Sequence, residues 1–194
     1  MSIHLQVGKE KKVAVVFSCP GRHEEQAGRP AAAATGRNLD RLLALLAPAL
    51  KRGDLARERV TTTNAWPRVE YRAKTGRSEA TDREVLAPNN LRRLQLELEE
   101  ISDLVIFCGR RARAVAVHLR LKHRPCFVYI EHLGLRGLSL LRKDVQGRAI
   151  VAADKFGCQA AGMSLRRLQG ENTERRLEVL AASIRAQLSA QREG

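Results

Sequence analysis

Four short apolar runs, at 13–17, 60–64, 104–108 and 127–130, are separated by segments that carry leucine or alanine at helical spacing. Nothing else in the chain narrows its folding choices as much. Runs such as VAVVF and LVIFC are rich in β-branched and aromatic residues and lack polar alternation, as a strand buried on both faces requires. The helical patterns fall at 36–50, 91–101, 110–121 and 173–187. Strands alternating with helices imply crossover connections, so the expectation is an α/β three-layer sandwich around a central, mainly parallel four-stranded sheet. A shorter run at 149–153 is a candidate edge strand near the C-terminal helix. A chain of 194 residues is long enough for one well-buried domain and short for two.

Parallel strands place their carboxyl ends along one edge, where open α/β sheets bind ligands. Here Ser18-Cys19-Pro20-Gly21 follows the first run, Asn64 ends the second, Gly109 follows the third and His132 follows the fourth. A turn, an amide and an imidazole far apart in sequence are thus expected to face a common pocket.

Lys and Arg number 35 against 21 Asp and Glu, a net charge of +14, which makes a polyanion the natural partner and favours nucleic acid over membrane. No stretch approaches the roughly 20 apolar residues of a spanning helix, and the N-terminal MSIHLQVGKEKK lacks the apolar centre of a signal peptide. A cytoplasmic protein with no membrane contact and no obligate protein partner is expected. The segment 65–89 is the longest without periodicity and interleaves Arg68, Arg72, Lys74, Arg77 and Arg83 with Trp66 and Tyr71. That mixture suits a surface that tracks a nucleic-acid backbone and stacks on bases, and equally a solvated, mobile loop.

Cys19, Cys108, Cys126 and Cys158 form no CxxC pair, so neither a zinc knuckle nor a redox dithiol is signalled. Cys108 and Cys126 read as small buried side chains. Cys19 is less settled, because it sits in the strand-to-loop turn itself.

The residues at 18–43, SCPGRHEEQAGRPAAAATGRNLDRLL, resemble the first motif of the uracil-DNA glycosylase superfamily, approximately GEAPGxxEDxxGxPFVGxAGxLL in its family 4-like members. TTTNAWP at 61–67 looks like that family's TNVVKCRPP. DLVIFCGRRARAV at 103–115 looks like its strand-Gly-helix segment, and HLGLRGLS at 132–139 stands where it carries a His-Pro-Ser motif. The resemblance covers roughly residues 13–140 and implies a fold of that superfamily and a DNA glycosylase that flips a base out of the duplex.

Carried over residue by residue, the resemblance gives Asn64 the reading of the flipped base, through an amide that both donates and accepts. It gives His132 a hydrogen bond to the carbonyl oxygen of the departing pyrimidine. Cys19, Pro20, Gly21 and Ala31 line the base, and Trp66 stacks on base or sugar, although a solitary Trp more often packs. The family's first-turn acid is missing at Ser18-Cys19, so Glu24, and after it Glu25, are the candidates to orient water or to offset charge on the sugar. A surface acid paired with Arg22 or Arg29 is the plain alternative for either. Arg68 and Arg110 are candidate phosphate contacts. The loop after His132 is expected to present Leu133, Leu135 and Leu138 around Arg136, with Leu135 or Arg136 as the wedge that fills the vacated stack; the alternative, expected for at least one of the leucines, is packing under the next strand.

Two departures bear on substrate. Ala31 stands where the family has its base-stacking Phe, with no aromatic replacing it nearby, which argues for an enlarged pocket. The close cysteine pair that helps hold the family 4 iron-sulfur cluster is absent, so no cluster, other cofactor or metal is expected. The resulting expectation is a monofunctional DNA glycosylase that hydrolyses the bond to a modified or damaged pyrimidine and leaves an abasic site. Its substrate is a bulky modified cytosine, such as glucosylated hydroxymethylcytosine of phage DNA, or otherwise uracil. The alternative is a non-catalytic nucleic-acid-binding module on the same fold. A phosphate cradle has little support, since GxGxxG and GxxxxGK[ST] are both absent.

Overall fold

A computed structural model describes residues 2–193. In chain order its elements are β1 (Leu5–Gln6), β2 (Val13–Phe17), α1 (Arg22–Ala27), α2 (Ala33–Ala49), β3 (Thr61–Asn64), α3 (Arg72–Thr75), α4 (Asp82–Val85), α5 (Pro88–Leu98), β4 (Leu104–Cys108), α6 (Arg110–Ala116), β5 (Cys126–Ile130), α7 (Leu135–Leu138), α8 (Lys155–Ala161) and α9 (Leu165–Glu193). The strands form one sheet in the order β1-β3-β2-β4-β5. The inner pairs β3-β2, β2-β4 and β4-β5 are parallel, and β1 runs antiparallel to β3 along the edge.

Successive residues of a strand point to opposite faces, so each apolar run feeds two cores. Val13, Val15, Ile106, Val128 and Ile130 face α2 and α9, meeting Leu39, Leu42, Leu46, Leu177 and Ile184. Ala14, Val16, Val105 and Phe107 face the other way, toward Leu94 and Leu98 of α5 and Ala112 and Val115 of α6. Phe107 meets Phe127 edge-on at 5.0 Å and stacks near Tyr129 at 5.7 Å, closing that second layer. Each fully buried Leu or Phe contributes about 1.5–3 kcal/mol relative to exposure, so double-sided burial is what fixes the sheet.

The three-layer α/β architecture and the four parallel strands agree with the sequence reading. Four details differ. The sheet has a fifth strand, β1, whose two residues are too few to register as an apolar run. The run at 149–153 is not a strand: its one ladder contact is an isolated bridge from Lys143 to Ala149. The segment 65–89 is ordered around α3 and α4 rather than being a free loop. Thr81 caps α4, its Oγ1 accepting the Glu84 N–H while the Glu84 carboxylate accepts the Thr81 N–H. The C-terminal helix also begins earlier than its periodicity suggests, at Leu165.

Candidate active site

The carboxyl ends of β2, β3, β4 and β5 open onto a single cavity of about 690 Å³. Its walls include Cys19, Gly21, Glu24, Ala31, Asn64, Gly109 and His132, so the residues singled out at the four strand ends do converge. The parallel register produces this: Phe17 pairs with Asn64 and Cys108 with Ile130, which brings the residues that follow each strand to one level.

Asn64 is 2% exposed, and its side-chain oxygen has no hydrogen-bond partner. Leaving a buried amide oxygen unpaired costs about 1–3 kcal/mol, a penalty that a ligand offering a donor would remove. The backbone around it is firmly held: Arg93 donates to the Asn64 carbonyl at 2.9 Å and Ala65 N–H donates to the Phe17 carbonyl at 2.7 Å.

His132 accepts the Gly134 N–H at Nδ1, 2.9 Å away. An amide can only donate, so Nδ1 carries no proton and the neutral ring bears its proton on Nε2. Burial pushes the imidazole below its usual value, with the charges of Glu79 and Glu24 acting in the opposite sense. The ring is fixed edge-on against Phe17 at 5.6 Å. Two glycines make room for it: a Cβ on Gly137 would stand 2.1 Å from the His132 carbonyl oxygen, and one on Gly109, at φ +91°, would stand 3.2 Å from His132 Cβ. Asn38 of α2 donates to the Leu133 carbonyl at 2.7 Å and ties the same loop to the first core. The site therefore holds a preset N–H donor beside a preset amide.

The first turn is built by Glu24. One carboxylate oxygen accepts the Gly21 N–H at 3.0 Å and the other the Ala32 N–H at 2.9 Å, so both ends of the loop are stapled to α1. Arg57 donates to the Pro30 and Ala31 carbonyls at 3.0 and 3.1 Å and holds Ala31 at φ +46°. A non-glycine residue in that region stores strain, which persists only where surroundings over-determine it. Burial pushes the Cys19 thiol up to about 12, so it remains protonated and is no nucleophile at neutral pH.

Of the other expected site residues, Pro20, Glu25, Trp66 and Leu135 lie outside the cavity wall, and Arg110 and Arg136 lie at its edge. Pro20 is buried behind the turn, its carbonyl accepting the Glu70 N–H at 2.9 Å. Glu25 points away, accepting the Tyr71 hydroxyl at 2.9 Å and pairing with Lys74. Trp66 packs against the second core, donates through Nε1 to Glu70 at 3.2 Å and carries Arg68 over its ring at 5.6 Å. Arg110 and Arg136 stand on the rim of the cavity, Arg110 pairing with Asp82 at 3.1 Å. Leu135 is 67% exposed, whereas Leu133 and Leu138 are buried in the first core, so the packed alternative holds for two of the three leucines and the loop presents only Leu135.

Sequence reasoning missed several wall residues. Phe17 supplies an aromatic wall, correcting the expectation that none stood near Ala31; it escaped notice as the last residue of an apolar run. Leu140 adds an exposed apolar group to the rim. Glu70 and Glu79 come from the 65–89 segment, where no local signal marks them, and only the folding of α3 and α4 brings them in. The four cysteines are free, and among the described residues no three His, Cys, Asp or Glu side chains gather as a metal set.

Fold and site together define an α/β protein with a ligand cavity at the carboxyl edge of a parallel sheet, furnished with a neutral imidazole donor and an unpaired amide oxygen. The sequence matches the Uracil DNA glycosylase superfamily over residues 6–188, nearly its whole length, and the chain belongs to that superfamily. Members of the superfamily are in general DNA glycosylases, which act on DNA. No curated protein matches the chain at a significant level. Among the described residues, no helix is long and apolar enough to cross a membrane.

Proposed function

We propose that this protein is a monofunctional DNA glycosylase that flips a modified pyrimidine into the cavity and hydrolyses its N-glycosidic bond, leaving an abasic site. The observation that carries the reading is the pairing of Asn64, with a buried unpartnered amide oxygen, and His132, with its proton on Nε2, in one cavity. Asn64 matches the hydrogen-bonding edge of the flipped base, and the His132 N–H stabilises the oxygen on which charge collects as the base departs. No lysine lines the cavity among the described residues, which favours simple hydrolysis over a Schiff-base route. Leu140 and Arg136 at the rim, with the exposed Leu135 next to Arg136 in sequence, suit the wedge that replaces the extruded nucleotide.

The substrate we favour is a bulky modified cytosine, such as the glucosylated hydroxymethylcytosine of phage DNA, in a cytoplasmic defence role; uracil is the second choice. The small buried Ala31 and the 690 Å³ volume, ample for a base with its substituent, support that order. The competing reading is a non-catalytic DNA-binding module, and the full engagement of Glu24 by backbone N–H groups is the observation in its favour.

Duplexes carrying a single uracil, hydroxymethylcytosine or glucosylated hydroxymethylcytosine separate these readings when alkali-labile abasic sites are measured. Excision, fastest on the glucosylated base, is expected. Tight binding with cleavage of none of the three would leave the binding module.

A further inference from the structure

Hydrolysis requires a group that takes a proton from water, and the Ser18-Cys19 turn brings no carboxylate of its own. Four acids line the cavity: Glu24, Glu70, Glu79 and Glu131. Glu24 has each oxygen committed to a backbone N–H. Glu70 is 4% exposed and held by Trp66 and by Arg77, whose Nε lies 2.8 Å away; the Arg77 guanidinium keeps this carboxyl below the usual carboxylate range. Neither is free to receive a proton from water without breaking the structure around it.

Glu79 differs from both. No side chain or backbone group donates a hydrogen bond to it among the described residues, and it stays part-exposed within the cavity wall. It is nonetheless fixed in place. Arg111 Nε forms an ion pair with one of its oxygens at 3.4 Å, without the geometry of a hydrogen bond, and the neighbouring Ala80 is buried. Ser78 and Glu79 line the same cavity as Ser18 and Cys19, the turn that lacks an acid. Glu79 lines the cavity together with Cys19 and His132 and is first among the charges acting on both. Glu131 also lines the cavity, but its charge acts on neither of them.

We infer that Glu79 is the catalytic carboxylate of this site, the group that activates the hydrolytic water. The inference rests on the glycosylase reading above. In the step it serves, the bond from the sugar C1′ to the base nitrogen breaks and its electron pair leaves with the base, whose carbonyl oxygen is stabilised by the His132 N–H. The water oxygen bonds to C1′, one water proton passes to the Glu79 carboxylate, and that proton is then released to the departing base nitrogen. An acid from a different loop thus fills the gap in the strand-end turn.

Single-turnover excision and DNA binding, measured on the uracil and glucosylated hydroxymethylcytosine duplexes, test this with E79A, E24A and E131A. E79A is expected to lose about 10²-fold or more in rate with DNA affinity unchanged, as removal of a general base does. Added formate, filling the space left by the side chain, is expected to restore part of the rate in E79A and in neither of the other variants. An E79A rate within about threefold of wild type overturns the inference, as does a loss that formate does not relieve, which would mark a positioning role. Silence of the wild-type protein on every duplex removes the glycosylase reading itself, an outcome distinct from failure of E79A alone.

Discussion

On the sheet side of the cavity, Asn64 and His132 present an unpaired amide oxygen and a free N–H, whereas on the loop side Glu24 and Glu70 have their oxygens engaged by the protein. The same kind of atom serves two ends. Groups at strand termini are held rigid by the ladder and can stay unsatisfied until a ligand arrives, because the sheet bears the cost. Loops have no ladder, so their carboxylates are spent on holding the backbone in shape. A polar residue facing the cavity is therefore a candidate for chemistry only where its own hydrogen bonds remain open, and by that criterion Glu79 belongs with the sheet side.

The contrast breaks most directly at the sheet side. H132A and N64A are each expected to lower the excision rate by about 10²-fold or more, out of proportion to any loss of Tm, since each deletes a ligand contact. Single-turnover kinetics alongside thermal melting checks this, and a large loss of Tm with proportionate loss of rate would erase the distinction between the two walls.

Next in size is the shape of the cavity. A31F is expected to depress excision of the glucosylated base relative to uracil by about tenfold or more, a discrimination of the order pocket sterics can supply. Taking the ratio within one variant cancels any loss from placing a larger residue at φ +46°. An unchanged ratio would remove the enlarged-pocket argument.

At the loop side, R77A is expected to lower Tm by several degrees, because it strands the buried Glu70 carboxylate and frees Glu84 together. Arg77, with help from the Thr81 cap, holds Glu84 down at about 2, so the stability from that pair is complete above the ordinary carboxylate range and lost as pH falls toward 2. The Tm difference between R77A and wild type should accordingly narrow in acid, which melting at pH 7 and pH 4 would reveal.

The smallest expected effect concerns His132. Its folded value is depressed by burial, so as pH falls through about 6.5 the unfolded chain binds the proton first and the native state loses stability. H132Q cannot titrate. Its Tm measured against wild type should rise by a degree or two between pH 8 and pH 5.5, and a parallel pair of curves would mean that the ring is not buried in solution.

Much of the fold was legible because burial on two faces leaves an unmistakable signature: VAVVF, LVIFC and their partners are apolar at every position. Asn64 and His132 were legible for a related reason, as polar residues that end such runs. What escaped was short or non-periodic. β1 is two residues long, and the Thr81-Glu84 capping box that starts α4 is a local signal overlooked amid the charges of 65–89. Arg77 and Lys74 resemble a nucleic-acid surface in sequence, yet in the folded chain one bridges Glu70 and Glu84 and the other pairs with Glu25. Leu133 and Leu138 resemble Leu135 in sequence, and only helical phase in α7 and the turn before it separates buried from exposed.

By itself the sequence determined the parallel sheet, the edge on which a ligand must bind, the basic character that suits DNA, and the amide and imidazole at that edge. These follow from local chemistry: which residues tolerate burial and which cannot. Tertiary structure alone decided which carboxylates remained free. Whether Glu24, Glu70 or Glu79 has an open oxygen depends on partners up to tens of residues away, from Ala32 to Arg77 and Arg111, and no spacing within a single segment records those pairings.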